Sequence, residues 1–321
     1  MNAQASFILK LVAIAVIACV PLSGESFYIE IVGKILVMAI FAMSLDLLVG
    51  FTGLVSFGHA AYFGIAAYAV AILSPQYEAA SLWYVLPASI ALSALAAFVI
   101  GLFVLRTKGI YFIMVTLAFA QMAYFIFHDT PLGGGSDGMY LNNKPSAAIF
   151  GWEPFDLNNE VHMFYFILAM MVLVYLFLTR ILQSPFGRAL VGIKSNEHRM
   201  QSLGYFTFRY KLGAFTLAGG LGGLAGFLYA VLFGFVTPEL LSWHESGNVL
   251  LMVILGGMGN LAGVIAGAFA FEMMREVFAD ITKYWQLLMG GVIVAVVLFL
   301  PGGLAGIPGR IKRAMQGGDS K

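Results

Sequence analysis

The sequence predicts an all-α fold, a polytopic bundle of transmembrane helices, on three observations. Of the 321 residues, 61% are hydrophobic and 10% are charged, with a mean hydropathy of +0.92, whereas an average soluble domain carries about 25% charged residues. Apolar runs of about 20 residues recur along the chain, and this is the length that a helix needs to cross the hydrocarbon core. The runs are continuous rather than alternating with period two, which argues against a β-barrel.

Nine apolar runs are candidate membrane segments. They cover residues 8–22, 28–49, 54–74, 82–105, 109–128, 161–181, 211–233, 248–271 and 284–301. We treat the first run as a retained span rather than a signal peptide, because no convincing small-residue cleavage site follows it.

The placement of Lys and Arg predicts which loops face the cytoplasm. The basic residues that mark this side are Arg180, Arg188, Lys194, Arg199, Arg209 and Lys211 in the segment 180–211, Arg106 and Lys108 in an earlier turn, and Arg310, Lys312 and Arg313 near the C-terminus. The loops 75–81, 129–160 and 234–247 carry only Lys144 between them. We therefore expect these three loops to face outward.

The run 248–271 conflicts with this assignment if it is a simple span, because the basic C-terminus would then lie outside. The conflict disappears if the glycine-rich stretch 256–263 breaks the run, since each Gly in a helix costs roughly 1 kcal/mol relative to Ala. We predict about eight full spans plus a Gly-broken re-entrant hairpin, with both termini cytoplasmic.

A second Gly-interrupted stretch, residues 50–59, lies in the first half of the chain. Paired broken segments of this kind point to a transport site, because non-helical backbone at membrane depth must be buried in protein or line a water-filled cavity. The candidate pathway residues are Asp46, Gly53, Ser56, His59, Gly257, Gly259 and Asn260. Close packing of helices is the alternative explanation of the glycines.

Asp46 and His59 each admit two interpretations. A carboxylate deep in a membrane helix costs about 2.5–3.5 kcal/mol on insertion scales, so Asp46 either lines the pathway and orients its helix or lies near enough to the interface to be hydrated. His59 is either a proton relay or, as is commoner for a lone membrane histidine, a hydrogen bonder in helix packing.

Several classes of site are not expected. No cluster of His, Asp and Glu has metal-ligand spacing, and the single cysteine, Cys19, allows no disulfide within the chain. We predict no catalytic site, no metal and no cofactor. The net charge of +1 offers no strongly basic face, so we expect no nucleic-acid partner.

The loop 183–210 is too long for a tight helix connection. Its stretch 187–202 suits a short surface helix that Gly204 terminates. Two interpretations are open. The helix receives force from a partner protein, or the loop is a solvated basic segment that only sets the topology. Gly187 and Gly192 have the spacing of a P-loop, but Ile193 stands where the lysine must be, so we do not expect this chain to bind ATP by a P-loop.

Five stretches carry a family resemblance. They are GFTGLVSFGHAAYFGIAAYAVA at 50–71, LRTKGIYFIMVTLAFAQ at 105–121, GGSDG at 134–138, SPFGRALVGIKSNEHRMQSLGYFTFRYKLGAF at 184–215 and LLMVILGGMGNLAGVIAGA at 250–268. With these five stretches in the same order, residues 30–300 of the chain resemble the permeases of branched-chain amino acid ABC transporters. It is most similar to the longer of the two paired permeases.

The resemblance implies a single transmembrane permease domain over residues 1–321, with a cytoplasmic coupling loop at 183–210 and an external loop at 129–160. The chain would pair with a homologous permease subunit about a pseudo-two-fold axis in the bacterial inner membrane. Two ATPase subunits would dock on the cytoplasmic face, and a periplasmic substrate-binding protein would deliver substrate outside. Arg188, Glu197 and Gly204 would belong to the coupling helix and its exit.

The resemblance also implies the transport of branched-chain or other aliphatic amino acids by alternating access, driven by ATP hydrolysis in the partner subunits. Two alternatives stay open at this point. One is a permease of the same family for urea or short amides. The other is an ion-coupled secondary transporter in which Asp46 and His59 relay the ion. Members of the family often carry an amide where Asp46 stands, so its role is not transferred from them.

Overall fold

The computed structural model of the protein describes residues 12–75, 77–148, 154–300 and 302–306. Both chain termini, and with them the basic residues Arg310, Lys312 and Arg313, lie outside the described residues. The predicted cytoplasmic location of the termini therefore stays a prediction.

Twelve helices lie in the described ranges. They are α1 (Val12–Leu22), α2 (Ser26–Val49), α3 (His59–Leu73), α4 (Leu82–Val104), α5 (Ile110–Asp129), α6 (Glu160–Gln183), α7 (Pro185–Ser195), α8 (Glu197–Ser202), α9 (Thr207–Phe233), α10 (Trp243–Gly256), α11 (Leu261–Ile281) and α12 (Trp285–Phe299). Two strands of two residues, β1 (Met139–Tyr140) and β2 (Phe235–Val236), pair antiparallel with Met139 opposite Val236. The prediction of an all-α polytopic bundle is confirmed.

Six of the eight predicted full spans correspond to helices of spanning length among the described residues. Six segments of the described chain are long and apolar enough to cross a membrane: α2, α4, α5, α6, α9 and the segment Trp285–Gly306 that contains α12. The shorter apolar helices α1 and α3 stand at the first and third predicted spans. The third span is shorter than predicted, because residues 54–58 are not helical and α3 begins only at His59.

The predicted glycine break lies between α10 and α11, which are bent by 119° at the break. Gly257 and Gly259 have φ angles of +105° and +81°, which an L side chain rarely adopts. The two arms run further than the predicted 248–271, from Trp243 to Ile281. They touch backbone to backbone, since a Cβ on Gly256 would overlap the carbonyl of Gly263.

Helices α2 and α9 form the centre of the bundle. In their most apolar 18-residue windows, 89% of α2 and 72% of α9 is buried, against 18–39% in the other four long segments. Glycines let α9 approach its neighbours: a Cβ on Gly226 would overlap the carbonyl of Phe63 in α3, and one on Gly223 would overlap Ser93 in α4. Small residues at helix contacts are the usual means of close packing in membranes.

The connecting segments gather at two opposite ends of the bundle. The turn after α4 meets α8 at one end, where Lys108 and Glu197 lie 3.8 Å apart. The loops predicted to face outward meet at the other end, where Ser81 pairs with Ser146 and β1 pairs with β2. The segments predicted for one side of the membrane thus lie together, and the basic residues remain the argument for which end is cytoplasmic.

We expect Gly226→Ala to destabilise the protein by about 1–3 kcal/mol, the usual cost of overpacking, because its Cβ meets the backbone of α3. Gly290→Ala in α12 is the matched control. No atom outside its own helix turn lies within 4 Å of the added Cβ, and Ala is favoured over Gly in a helix by about 1 kcal/mol. Thermal unfolding of the detergent-purified variants measures both, and an unchanged melting temperature for Gly226→Ala would contradict the packing described here.

Candidate functional site

Asp46 joins the two broken segments, defined here as residues 50–58 and 257–260. The Gly259 N–H donates a hydrogen bond of 2.9 Å to Asp46 Oδ1, and Asp46 is completely buried. Gly50 lies against the same contact, because a Cβ on it would overlap the Asp46 carboxylate and approach the Gly259 amide to 2.5 Å. The two Gly-broken segments that the sequence singled out are therefore in direct contact.

Lys194 of α7 reaches this contact from the segment 183–210. Its ammonium group donates a hydrogen bond of 2.6 Å to the carbonyl of Gly50, and its charge attracts the Asp46 carboxylate. The stem of Lys194 runs along Gly53, whose added Cβ would lie 3.2 Å from Lys194 Cγ. Lys194 is otherwise exposed. From the sequence alone, Lys194 is only a marker of topology, and nothing in its local sequence signals a contact 144 residues away.

Polar side chains from other helices stabilise the first broken segment. Its amides are bound by Ser56, which accepts from Gly58 N–H at 3.2 Å, and by Thr116 of α5, which accepts from Phe57 N–H at 3.2 Å. Just beyond it, Ser246 of α10 accepts from the Ala60 N–H at 2.9 Å. Ser56 is fully buried. Thr52 and Gly58 are buried as well, whereas Gly53, beside Lys194, is exposed. The segment is therefore only partly enclosed by the described residues.

His59 is fully buried next to Ser44. The Ser44 hydroxyl donates its one proton to the Phe41 carbonyl at 2.6 Å, so His59 Nε2, at 2.8 Å from Ser44 Oγ, acts as the donor to Ser44. Nδ1 has no hydrogen-bond partner among the described residues, and the ring stacks on Phe41 with centroids 5.4 Å apart. This arrangement favours helix packing over proton relay.

The second broken segment is a turn built by its own residues. Asn260 caps α11, because its side-chain oxygen accepts a hydrogen bond of 3.2 Å from the Gly263 N–H. Gly257 leaves room for the turn that follows α12, since a Cβ on it would lie 2.5 Å from the Gly302 carbonyl. Gly257, Gly259 and Asn260 thus shape the tip that offers its amide to Asp46.

The segment 183–210 contains two helices where one was predicted over 187–202. The break falls at Asn196, whose side chain accepts a hydrogen bond of 2.9 Å from the Arg199 N–H and so begins α8. Gly204, with φ of +87°, ends α8 as predicted. The Tyr205 N–H donates to the Met200 carbonyl across it at 3.1 Å, which completes a Schellman motif.

Glu197 fixes α8 to its surroundings. Its Oε1 lies 2.7 Å from the Lys211 ammonium and accepts a hydrogen bond of 3.1 Å from the Thr207 hydroxyl, and Lys108 lies on its other oxygen. Burial alone would raise the pKa of Glu197, but the contacts with Lys211, Thr207 and Lys108 outweigh it and hold this pKa below its usual range.

Arg188 and Gly204 differ from Glu197 in being free of such contacts. Both are exposed, and the Arg188 guanidinium makes no hydrogen bond or ion pair with the residues that the structure describes. In the same described part of the chain, no group of three or more His, Cys, Asp or Glu could hold a metal ion.

We expect Asp46→Asn to keep the Gly259 hydrogen bond and the melting temperature, because the amide oxygen can replace Oδ1. Asp46→Leu leaves the buried amide without an acceptor, which costs about 1–3 kcal/mol, and should lower the melting temperature. Asp129→Asn, at an exposed carboxylate, is the control for a charge change. Equal losses in Asp46→Asn and Asp46→Leu would show that the charge, not the hydrogen bond, is required.

We expect the contacts of Glu197 to weaken only in acid. A carboxyl with a lowered folded pKa stabilises the fold fully above its unfolded pKa, near 4.5, and loses this contribution as the pH falls through the folded value. Limited proteolysis of the segment 183–210 between pH 7 and pH 3 measures the effect. Glu197→Gln should be cut faster at neutral pH and show less acid dependence; identical curves would exclude the role given to Glu197.

The chain was compared with known proteins. The family model described as "Branched-chain amino acid transport system / permease component" matches residues 27–297. The chain is 33% identical over 320 residues to the high-affinity branched-chain amino acid transport system permease protein LivM of Salmonella typhimurium. This alignment covers 94% of this chain and 75% of that protein. No solved structure matches the chain significantly.

More distant relatives carry two kinds of name. The probable branched-chain amino acid transport permease protein LivM of Methanocaldococcus jannaschii is 25% identical over 244 residues, or 67% of each chain. The autoinducer 2 import system permease protein LsrC of Klebsiella pneumoniae is 30% identical over 141 residues, 42% of this chain and 41% of that protein. The family resemblance of residues 30–300 is confirmed, and the chain belongs to the branched-chain amino acid transport permease family of multi-pass membrane proteins.

Proposed function

We propose that this chain is the membrane-spanning permease subunit of an ATP-driven importer for branched-chain or other aliphatic amino acids. One observation carries the proposal: Lys194, in the segment expected to couple to an ATPase, contacts Gly50 at the point where both broken segments meet. A movement of α7 therefore acts directly on the backbone at Asp46 and Gly259.

We also propose where the partners bind. The coupling segment carries exposed residues that include Arg188 and Gly204 as well as the apolar Leu203 and Phe206. The exposed surface of this segment is called the coupling face. We assign this face to two ATPase subunits, since the chain has no P-loop lysine of its own. The opposite end, with the loop 129–160, is assigned to a periplasmic binding protein, and a homologous permease subunit completes the complex in the bacterial inner membrane.

The proposed mechanism is alternating access. ATP binding in the partners moves α7, Lys194 carries the movement to the first broken segment, and the Asp46–Gly259 hydrogen bond carries it to the hairpin. A ligand shifts a two-state equilibrium only through its different affinities for the two states. ATP and the loaded binding protein must therefore supply the bias between the outward and inward states.

The alternatives make different demands on the same residues. An ion-coupled transporter needs a relay at Asp46 and His59, whereas the His59 ring is held by Ser44 and Phe41 in a packing arrangement. The relatives named for branched-chain amino acids cover more of this chain than the one named for autoinducer 2. This favours amino acids over other small solutes such as urea or short amides as the cargo.

Co-purification from the native membrane tests the function. We expect a tagged chain to bring with it two ATPase subunits and a homologous permease, and the complex in vesicles to take up leucine only with ATP and the binding protein. A chain that is recovered alone and carries solute without ATP would overturn the proposal in favour of a secondary transporter.

Lys194→Met in this complex tests the coupling path. We expect ATP-driven uptake to fall about three- to tenfold, in line with the loss of one hydrogen bond, while the complex assembles and still hydrolyses ATP. Lys194→Arg should restore part of the uptake, and Lys283→Met, at an exposed lysine between α11 and α12, is the matched control. Normal uptake in Lys194→Met would exclude Lys194 from the path.

A further inference from the structure

A cavity of about 260 Å³ lies between α2, α6 and α9 at the end of the bundle opposite the coupling segment. Helix α6 separates the two regions: the cavity contacts Glu160 and Met163 at its beginning, and α7 follows its last residue. On α2, Glu30 of the cavity precedes Asp46 by 16 positions, which corresponds to about 24 Å along a helix. The cavity is therefore distinct from the contact at Asp46.

Charges of both signs line this cavity. Lys144, from the loop 129–160, faces it together with Glu30 of α2 and Glu160 of α6. Glu30 and Glu160 both lie within electrostatic range of Lys144, since burial lowers the pKa of Lys144 while Glu160, Asp156 and Glu30 oppose that shift.

Among the described residues, none of these three cavity groups forms an ion pair. None of the salt bridges of the described residues involves Lys144, Glu30 or Glu160. The neighbouring Asp156 is engaged differently, because it accepts hydrogen bonds of 2.8 Å and 2.9 Å from Asn158. One ammonium group and two carboxylates thus share a cavity without neutralising one another by direct contact, which leaves each of them able to bind a ligand.

The rest of the wall is apolar. Ile29, Met163, Phe164 and Leu232 line it, and the first three are buried. The volume is just below the range of about 300–1,000 Å³ that is usual for sites of drug-sized ligands, so it suits a smaller molecule. A fitting ligand has one positive group, one negative group and a short aliphatic side chain. A metal cation fits less well, because the Lys144 ammonium would repel it.

We propose that this cavity is an entry site that binds the cargo as a zwitterionic aliphatic α-amino acid. Lys144 pairs with the carboxylate of the ligand, Glu30 and Glu160 hold its ammonium group, and the apolar wall receives its side chain. The inference rests on the proposed function for the choice of cargo, and it adds a binding site in the permease itself. The loop 129–160 then has a role in recognition as well as in connecting α5 and α6.

Equilibrium binding of radiolabelled L-leucine to the purified chain in lipid nanodiscs, without the binding protein, tests the site. Two competitors each lack one charge: isoamylamine has no carboxylate, and 4-methylpentanoate has no ammonium group. We expect both to compete at least about tenfold more weakly than leucine, because each loses a charge-assisted contact.

Lys144→Gln should weaken leucine binding at least about tenfold and abolish the preference for leucine over isoamylamine. A merely structural lysine would not change that preference. Lys144→Arg should retain it, and Lys283→Gln, at an exposed lysine between α11 and α12, should bind like the unaltered chain.

Three results would overturn the site: no leucine binding by the unaltered chain, unchanged selectivity in Lys144→Gln, or a co-purified phospholipid that leucine does not displace. Each leaves the permease assignment standing if the chain still co-purifies with its ATPase partners. Loss of that co-purification would instead count against the proposed function.

Discussion

The hydrogen bond from the Gly259 amide to the Asp46 carboxylate is the constraint on which the arrangement of the broken segments depends. A polar group that is buried without a hydrogen-bond partner is costly, and a buried charge is more so; Asp46 is fully buried. The hydrogen bond gives the Asp46 carboxylate a donor and the Gly259 amide an acceptor. Gly50 has to lack a side chain for Asp46 and Gly259 to meet. The Gly50 carbonyl in turn accepts a hydrogen bond from Lys194 of α7.

In the proposed mechanism, this contact is the route by which a bundle with such a buried centre responds to a partner. Helices α2 and α9 are enclosed on most sides and packed through glycines, and tightly packed interiors transmit strain rather than absorb it. In the proposed mechanism, the non-helical backbone of the two broken segments transmits a displacement of α7. The first segment contacts Lys194, and the second is the tip of the hairpin that binds Asp46.

Composition and the lengths of the apolar runs were enough to predict the bundle, because lipid allows few alternatives to a helix. The distribution of Lys and Arg also predicted a hairpin, and the structure has the break at Gly257, between α10 and α11. The site was predictable only in part. Glycine spacing identified the broken segments, but the contact of Lys194 with Gly50 joins residues 144 positions apart. A single sequence holds no record of such a distant pairing, nor of the grouping of Lys144 with Glu30.

The distance along the chain between Asp46 and Gly259, 213 residues, bears on how the protein is made. At translation rates of about 5–20 residues per second, Asp46 enters the membrane roughly 10–40 s before its hydrogen-bond donor has been synthesised. Helix α9, which covers much of α2, also arrives late. Throughout this interval Asp46 lacks its Gly259 hydrogen bond, although Lys194, whose charge attracts the carboxylate, is synthesised before Gly259. The contact at Asp46 is therefore complete only once the hairpin has been made.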